Sequence, residues 1–330
     1  MRAEQLIVNL KEAIRTNTAS MLHGSPGVGK SAIVHQVAKE LGLGILDYRL
    51  SQVDSVDLRG VPSIKDGRTH WNPPAEFPHE GEGLFFLDEI NSAPQSVQAA
   101  AYQLVLDRKL GTYVLPPGWI PVAAGNRLTD RAIVNQMPTP LRNRFIHFEL
   151  DSSIDDWCSW AMSANVPEQM IAFLRFRPNL LDEFSQADSA TKIKDSNTIA
   201  TPRSWEIAGR FVASVNRLSM MSSTVGTGPA AEFESYLQVY EELPDLDALM
   251  KNPKLYKAPK NPGALYAIAT GIAARMTENM PMKNFFAIVD QMPIEFGALA
   301  VKDSQRRVPT TAYSKEFLVW STKNFEMWRK

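Results

Sequence analysis

The sequence predicts an α/β fold: a parallel five-stranded sheet with helices on both faces, followed by a mainly α-helical domain. Three observations predict it. Short apolar runs alternate with amphipathic helical stretches through residues 1–150. A glycine-rich loop joins the first apolar run to a helix. After about residue 150 strand patterns stop, and apolar residues recur at helical spacing instead.

Each element has its own warrant. Leu6, Leu10 and Ile14 share one face of an opening helix. Residues 19–23 are a short run flanked by turn residues and read as a buried strand. Ile33, Val34, Val37, Ala38 and Leu41 give a helix over residues 31–41, ended by Gly42 and Gly44. Further strands are predicted at 45–50, 84–87, 120–124 and 145–150, with a helix over 94–107. Beyond them, Trp157, Trp160, Ala161, Ile171, Leu174 and residues 205–215 read as helices. Polar breaks are expected at 185–198, 222–229 and 251–263. The expected division is an α/β domain over 1–150 and a helical domain over 151–330.

Composition sets the outer bounds. A chain of 330 residues suits two domains. Its net charge of −1 supplies no global field toward nucleic acid or an anionic membrane. The single cysteine, Cys158, excludes an intrachain disulfide and fits a reducing cytoplasm, where it reads as a small buried hydrophobe. No apolar run reaches the ~20 residues of a membrane span. Residues 1–15 lack the apolar centre of a signal peptide. The methionines from Met276 to Met292 read as adaptable core packing.

The strongest motif is Gly24-Ser25-Pro26-Gly27-Val28-Gly29-Lys30-Ser31, a phosphate-loop pattern with a strand before it and a helix after it. Its glycines let successive backbone N–H groups point inward at phosphate oxygens. The following helix adds its unpaired amides and positive dipole end. Lys30 reaches toward the β- and γ-phosphates of ATP, and the Ser31 hydroxyl is a Mg²⁺ ligand. A second site follows the apolar run Leu84-Phe85-Phe86-Leu87. There Asp88 is placed to hold Mg²⁺ and Glu89 to act as general base on water. Asn126, after the fourth strand, is a candidate for contact with the γ-phosphate or the water. Arg142 and Arg144 precede the fifth strand, and one of them, with Arg144 preferred, would serve a neighbouring subunit's site. Thr201 and Pro202 start a helix whose first turn carries Arg203, a candidate reporter of γ-phosphate loss.

In this order the motifs resemble AAA+ ATPases, with Walker A at 24–31, Walker B at 84–89, sensor 1 at Asn126, an arginine finger at Arg144 and sensor 2 at Arg203. The resemblance extends to the MoxR-like branch, bacterial and phage members included. It does so through Asp57-Leu58-Arg59-Gly60-Val61-Pro62, Asp66-Gly67, Trp71 and Pro74, through Glu89-Ile90-Asn91-Ser92-Ala93-Pro94 with Gln98, and through Asn126-Arg127, Asp130-Arg131-Ala132, Met137-Pro138 and Asn143-Arg144-Phe145. It covers roughly residues 15–215 and is thin after about 220. It implies a β-hairpin insert near 59–72, a hexameric ring of identical subunits and a partner protein, with a von Willebrand factor A domain as one form. It also implies a chaperone-like or cofactor-inserting role. The insert tip carries Lys65, Arg68, His70 and Trp71, and the chain beyond 220 departs from a minimal subunit. Three readings compete with ATP-driven remodelling of a protein: a nucleic-acid motor or clamp-loader relative, a nucleotide-dependent scaffold without turnover, and a metal-chelatase subunit.

Overall fold

A computed structural model describes residues 1–127, 137, 139–185 and 197–325. Asp130, Arg131, Ala132 and Pro138, together with most of the break expected at 185–198, lie outside the described residues. The chain divides into two compact units, Met1–Ser153 and Ile154–Lys330.

Unit 1 is built on strands β1 (Ser20–His23), β2 (Gly44–Arg49), β3 (Val61–Lys65), β4 (Arg68–Asn72), β5 (Gly83–Asp88), β6 (Lys109–Leu110), β7 (Tyr113–Val114), β8 (Trp119–Gly125) and β9 (Ile146–Glu149). Five of them form one parallel sheet in the order β2-β5-β8-β1-β9. Because β5 lies inside the sheet between β2 and β8, all six of its residues are buried, which explains its unbroken apolar run. Alternation splits the sheet into two faces. Met21, Phe85, Leu87 and Ala123 join one core with α4 (Gln95–Asp107) and with Leu141 of α5 (Thr139–Arg142). Leu22, Phe86, Val122 and Phe148 join the other with α1 (Ala3–Arg15) and α2 (Lys30–Leu41). These layers are the predicted α/β fold with helices on both faces.

Two small elements were not legible in the pattern. The helix α3 (Ser55–Arg59) starts from a capping box in which Asp54 and Asp57 serve each other's backbone amides. The β6–β7 hairpin has only two residues per strand, too few for a periodic signal. The β3–β4 hairpin is antiparallel, and all ten of its residues are exposed.

Unit 2 is helical, with no strand among the described residues. Its α6 (Ile154–Ser163), α7 (Glu168–Phe176), α8 (Pro202–Gly209), α9 (Arg217–Val225) and α10 (Thr227–Glu241) enclose one core around Phe173, Trp205 and Phe233. A second core around Phe285, Ile272 and Val301 lies among α11 (Leu246–Lys251), α12 (Pro262–Ala274), α13 (Met282–Val289), α14 (Ile294–Arg307) and α15 (Lys315–Lys323). Met276 and Met292 are buried there. Arg175 of α7 and Asp303 of α14 form a buried two-point ion pair, with Nη1 and Nη2 donating at 2.5 and 2.8 Å. Cys158 is fully buried, and burial pushes its thiol up to about 12, so it packs as a hydrophobe.

Two expectations need correction here. The helix expected over 205–215 stops at Gly209, after which the Arg210, Phe211 and Ser214 amides bond carbonyls three residues back and the chain turns. The break expected at 222–229 is helical except at its centre. Ser223 and Thr224 donate back to the carbonyls of Ser219 and Met220, so their polarity does not interrupt α9. Only Gly226, at φ 93°, turns the chain before α10.

Candidate nucleotide site

The site lies at the carboxyl ends of β1, β5 and β8, the edge where open parallel sheets take ligands. The glycine-rich loop leaves β1 and enters α2. Gly27 and Gly29 adopt φ of 76° and 106°, and a Cβ on Gly29 would meet nothing within 4 Å, which leaves open space above the loop. The helix begins at Lys30 with no side-chain cap, so its first amides are directed to the loop. The start of a helix behind such a loop is where phosphates bind in other proteins.

Lys30 is buried at 8 % exposure. Its ammonium donates to the carbonyls of Gly24 and Ser25 at 2.6 and 3.1 Å and to Asn126 Oδ1 at 3.1 Å. The Ser31 hydroxyl donates to Asp88 Oδ2 at 2.7 Å. A hydroxyl and a carboxylate in contact beside an anion cradle are the hard oxygen donors that Mg²⁺ selects. Asp88 Oδ1 accepts from the Glu89 amide at 2.9 Å, which fixes the carboxylate. Among the described residues, no cluster of three or more His, Cys, Asp or Glu side chains competes for a metal ion.

Glu89 has φ of 58°, in the left-handed region, and so turns sharply away from β5. Its carboxylate accepts from the Ser51 hydroxyl and lies 3.9 Å from Arg49 Nε. Sequence reasoning missed both partners, because neither sits in a recognisable motif. It named Asn91 only within the stretch 89–94 and gave it no role, whereas Asn91 is 5 % exposed and bonds the backbone of Asn126 on both sides.

The structure thus brings together Lys30, Ser31, Asp88 and Asn126. It does not bring Arg142 or Arg144 to them. Ile146 of β9 lies opposite Ser20 of β1, so both arginines sit at the amino end of the sheet. About four residues of strand, roughly 13 Å, separate that end from the phosphate loop. Both arginines are exposed. Arg203 belongs to unit 2, exposed in the first turn of α8, where Thr201 caps the helix by accepting from the Ser204 amide at 3.0 Å.

A histidine pair joins the two ends of the sheet. His147 Nε2 donates to the Arg142 carbonyl at 2.7 Å, since a carbonyl can only accept. His147 Nδ1 therefore accepts from His23 Nε2 at 2.8 Å. Burial, and then His147, push the His23 pKa down to about 4.

Residues 19–145 match the AAA domain family, dynein-related subfamily. The chain is similar to midasin from Giardia intestinalis, 27 % identical over 179 residues. That match covers 50 % of this chain and only 4 % of the midasin length. The chain is also similar to a crystal structure of a putative ATPase from Cytophaga hutchinsonii, at 16 % identity and a TM-score of 0.37 over 82 % of this chain and 74 % of that one. NtrX from Brucella abortus in complex with ADP gives 14 % identity and a TM-score of 0.44 over 92 % and 68 %. No helix among the described residues is long and apolar enough to cross a membrane.

Proposed function

We propose that the AAA domain hydrolyses ATP at an interface between two copies of this chain, and that the resulting motion remodels a partner protein. The observation that carries this reading is the gap within one subunit. Lys30, Ser31, Asp88 and Asn126 gather at one end of the sheet, while Arg142 and Arg144 stand exposed at the other. Arg142 and Arg144 thus stand away from their own subunit's site and are placed to serve a neighbour's. A head-to-tail contact of this kind closes into a ring, and a hexamer is the proposed size.

In the proposed reaction the backbone amides of 24–31 bind the phosphates, and Lys30 leaves its carbonyl partners for phosphate oxygens. Ser31 and Asp88 would hold Mg²⁺, which would offset the phosphate charge. Glu89 moves off Ser51 and Arg49, orients the attacking water and accepts its proton. Asn126 contacts the γ-phosphate or that water. Arg144 of the neighbour, with Arg142 as the alternative, stabilises charge as it develops, an effect worth ~10³–10⁵ in rate elsewhere. Arg203 carries the loss of the γ-phosphate to the helical unit.

The fully exposed β3–β4 hairpin, with Lys65, Arg68, His70 and Trp71, is the proposed grip on the partner. A MoxR-type chaperone role, a partner with a von Willebrand factor A domain and a cytoplasmic setting belong to the same proposal. Mixing two inactive variants tests the shared site. Glu89→Gln subunits keep Arg144, and Arg144→Ala subunits keep Glu89. Equimolar mixing should restore ATP turnover at the sites that pair the two intact residues. Turnover that stays at the level of the separate variants would sink the shared-site reading.

A further inference from the structure

We infer that Asn91 is a positioning residue for ATP hydrolysis, aligning Asn126 with the phosphate loop through two hydrogen bonds to the Asn126 backbone. The inference rests on the proposed role of Asn126.

The geometry is specific. The Asn91 amide donates from Nδ2 to the Asn126 carbonyl at 2.6 Å and accepts at Oδ1 from the Asn126 N–H at 3.2 Å. One side chain thus satisfies both polar groups of a single residue, as a neighbouring strand would. The need arises because β8 ends at Gly125, where pairing with β1 stops. Asn126 lies past the last ladder pair and takes hydrogen bonds for its backbone from Asn91 instead. The turn that carries Asn91 is itself anchored, with the Ile90 amide donating to the Ala124 carbonyl at 3.1 Å and the Ser92 amide to the Glu89 carbonyl at 2.9 Å.

Gly125 supports the same reading from the other side. A Cβ there would lie 2.3 Å from Asn91 Oδ1, and its three nearest atoms would all belong to the Asn91 amide. Asn91 therefore packs flat on a position that only glycine leaves open. Gly125 also accepts from the Gly24 amide at 3.3 Å, and the Asn126 side chain accepts from Lys30 at 3.1 Å. The turn after β5, the end of β8 and the phosphate loop are thereby one bonded unit. Asn91 supplies the link between the first two. Its amide is engaged at both Nδ2 and Oδ1 by the Asn126 backbone, so its action passes through Asn126.

A double-mutant cycle on the full chain tests this, with ATP turnover, KM, nucleotide affinity and thermal stability read for each protein. Asn91→Ala should lower kcat on the order of 10²-fold, the cost of a displacement near 1 Å, with nucleotide affinity unchanged. Asn91→Ala in the Asn126→Ala background should add nothing. Should Asn91→Ala fold poorly, Gly125→Ala provides the second route. Its methyl displaces the Asn91 amide and should reproduce the kcat loss, yet have no further effect once Asn91 is alanine. Full multiplication of the Asn91 and Asn126 effects would overturn the inference, as would a normal kcat for Asn91→Ala. An Asn126→Ala variant with normal kcat would instead remove the proposed role of Asn126 on which the inference rests.

Discussion

The carboxyl edge of the main sheet and the β3–β4 hairpin are both made of strands, yet they are built in opposite ways. At the sheet edge the inner strands β1, β5 and β8 are covered. β5 is buried throughout, and Lys30, Asp88 and Asn91 are polar groups buried with partners in hand. On the hairpin all ten residues are exposed, including Val61 and Ile64 at 63 % and 84 %. A two-stranded hairpin holds little stability alone. The comparison separates two uses of a strand. The sheet fixes side chains to within a hydrogen bond, as chemistry on a phosphate requires. The hairpin fixes almost nothing and leaves apolar and basic groups in solvent, as a contact surface requires.

Substitutions can break the contrast at its strongest point. Phe85 is fully buried, with its ring against Tyr48 and Phe77. Phe85→Ala should cost about 3–5 kcal/mol, read by denaturant unfolding. A loss below about 1 kcal/mol would show that β5 does not organise the unit.

Acid sharpens the contrast at the phosphate-loop strand. The folded His23 pKa stands at about 4, against 6.5 for the unfolded residue. Between these values the unfolded chain binds the extra proton, so stability falls as pH drops from 6.5 toward 4. His147, Lys30 and Arg127 oppose the charge on His23, and Glu149 favours it. His23→Gln should flatten that part of the stability-against-pH curve, and an unchanged slope would remove His23 as its source. The hairpin should respond least of all. Ile64→Ser should shift unfolding by no more than about 0.5 kcal/mol and leave basal turnover intact. A larger loss would mean that Ile64 packs in the folded subunit.

The contrast also explains what was legible. Five strands and their flanking helices could be read because burial writes itself into apolar runs, as at 84–87, and into glycine punctuation, as at 24–31. Lys30, Ser31, Asp88 and Asn126 could be placed because each follows a strand or a glycine turn. Asn91, Ser51 and the His23–His147 pair could not. Their partners are distant in the chain or in the backbone, and a lone polar residue carries no period. The misread helix at 205–215 has the converse cause. Helical spacing was present there, but after Gly209 the chain closes into three-residue turns that leave Val215 in solvent.

The central claim is that water attacks ATP at the carboxyl edge of the sheet with Glu89 as its base. Steady-state turnover of wild type and Glu89→Gln, measured with nucleotide affinity on the same samples, tests it most directly. Loss of a general base predicts a kcat lower by ~10²–10⁴ with affinity preserved. Equal turnover by the two proteins would contradict the assignment.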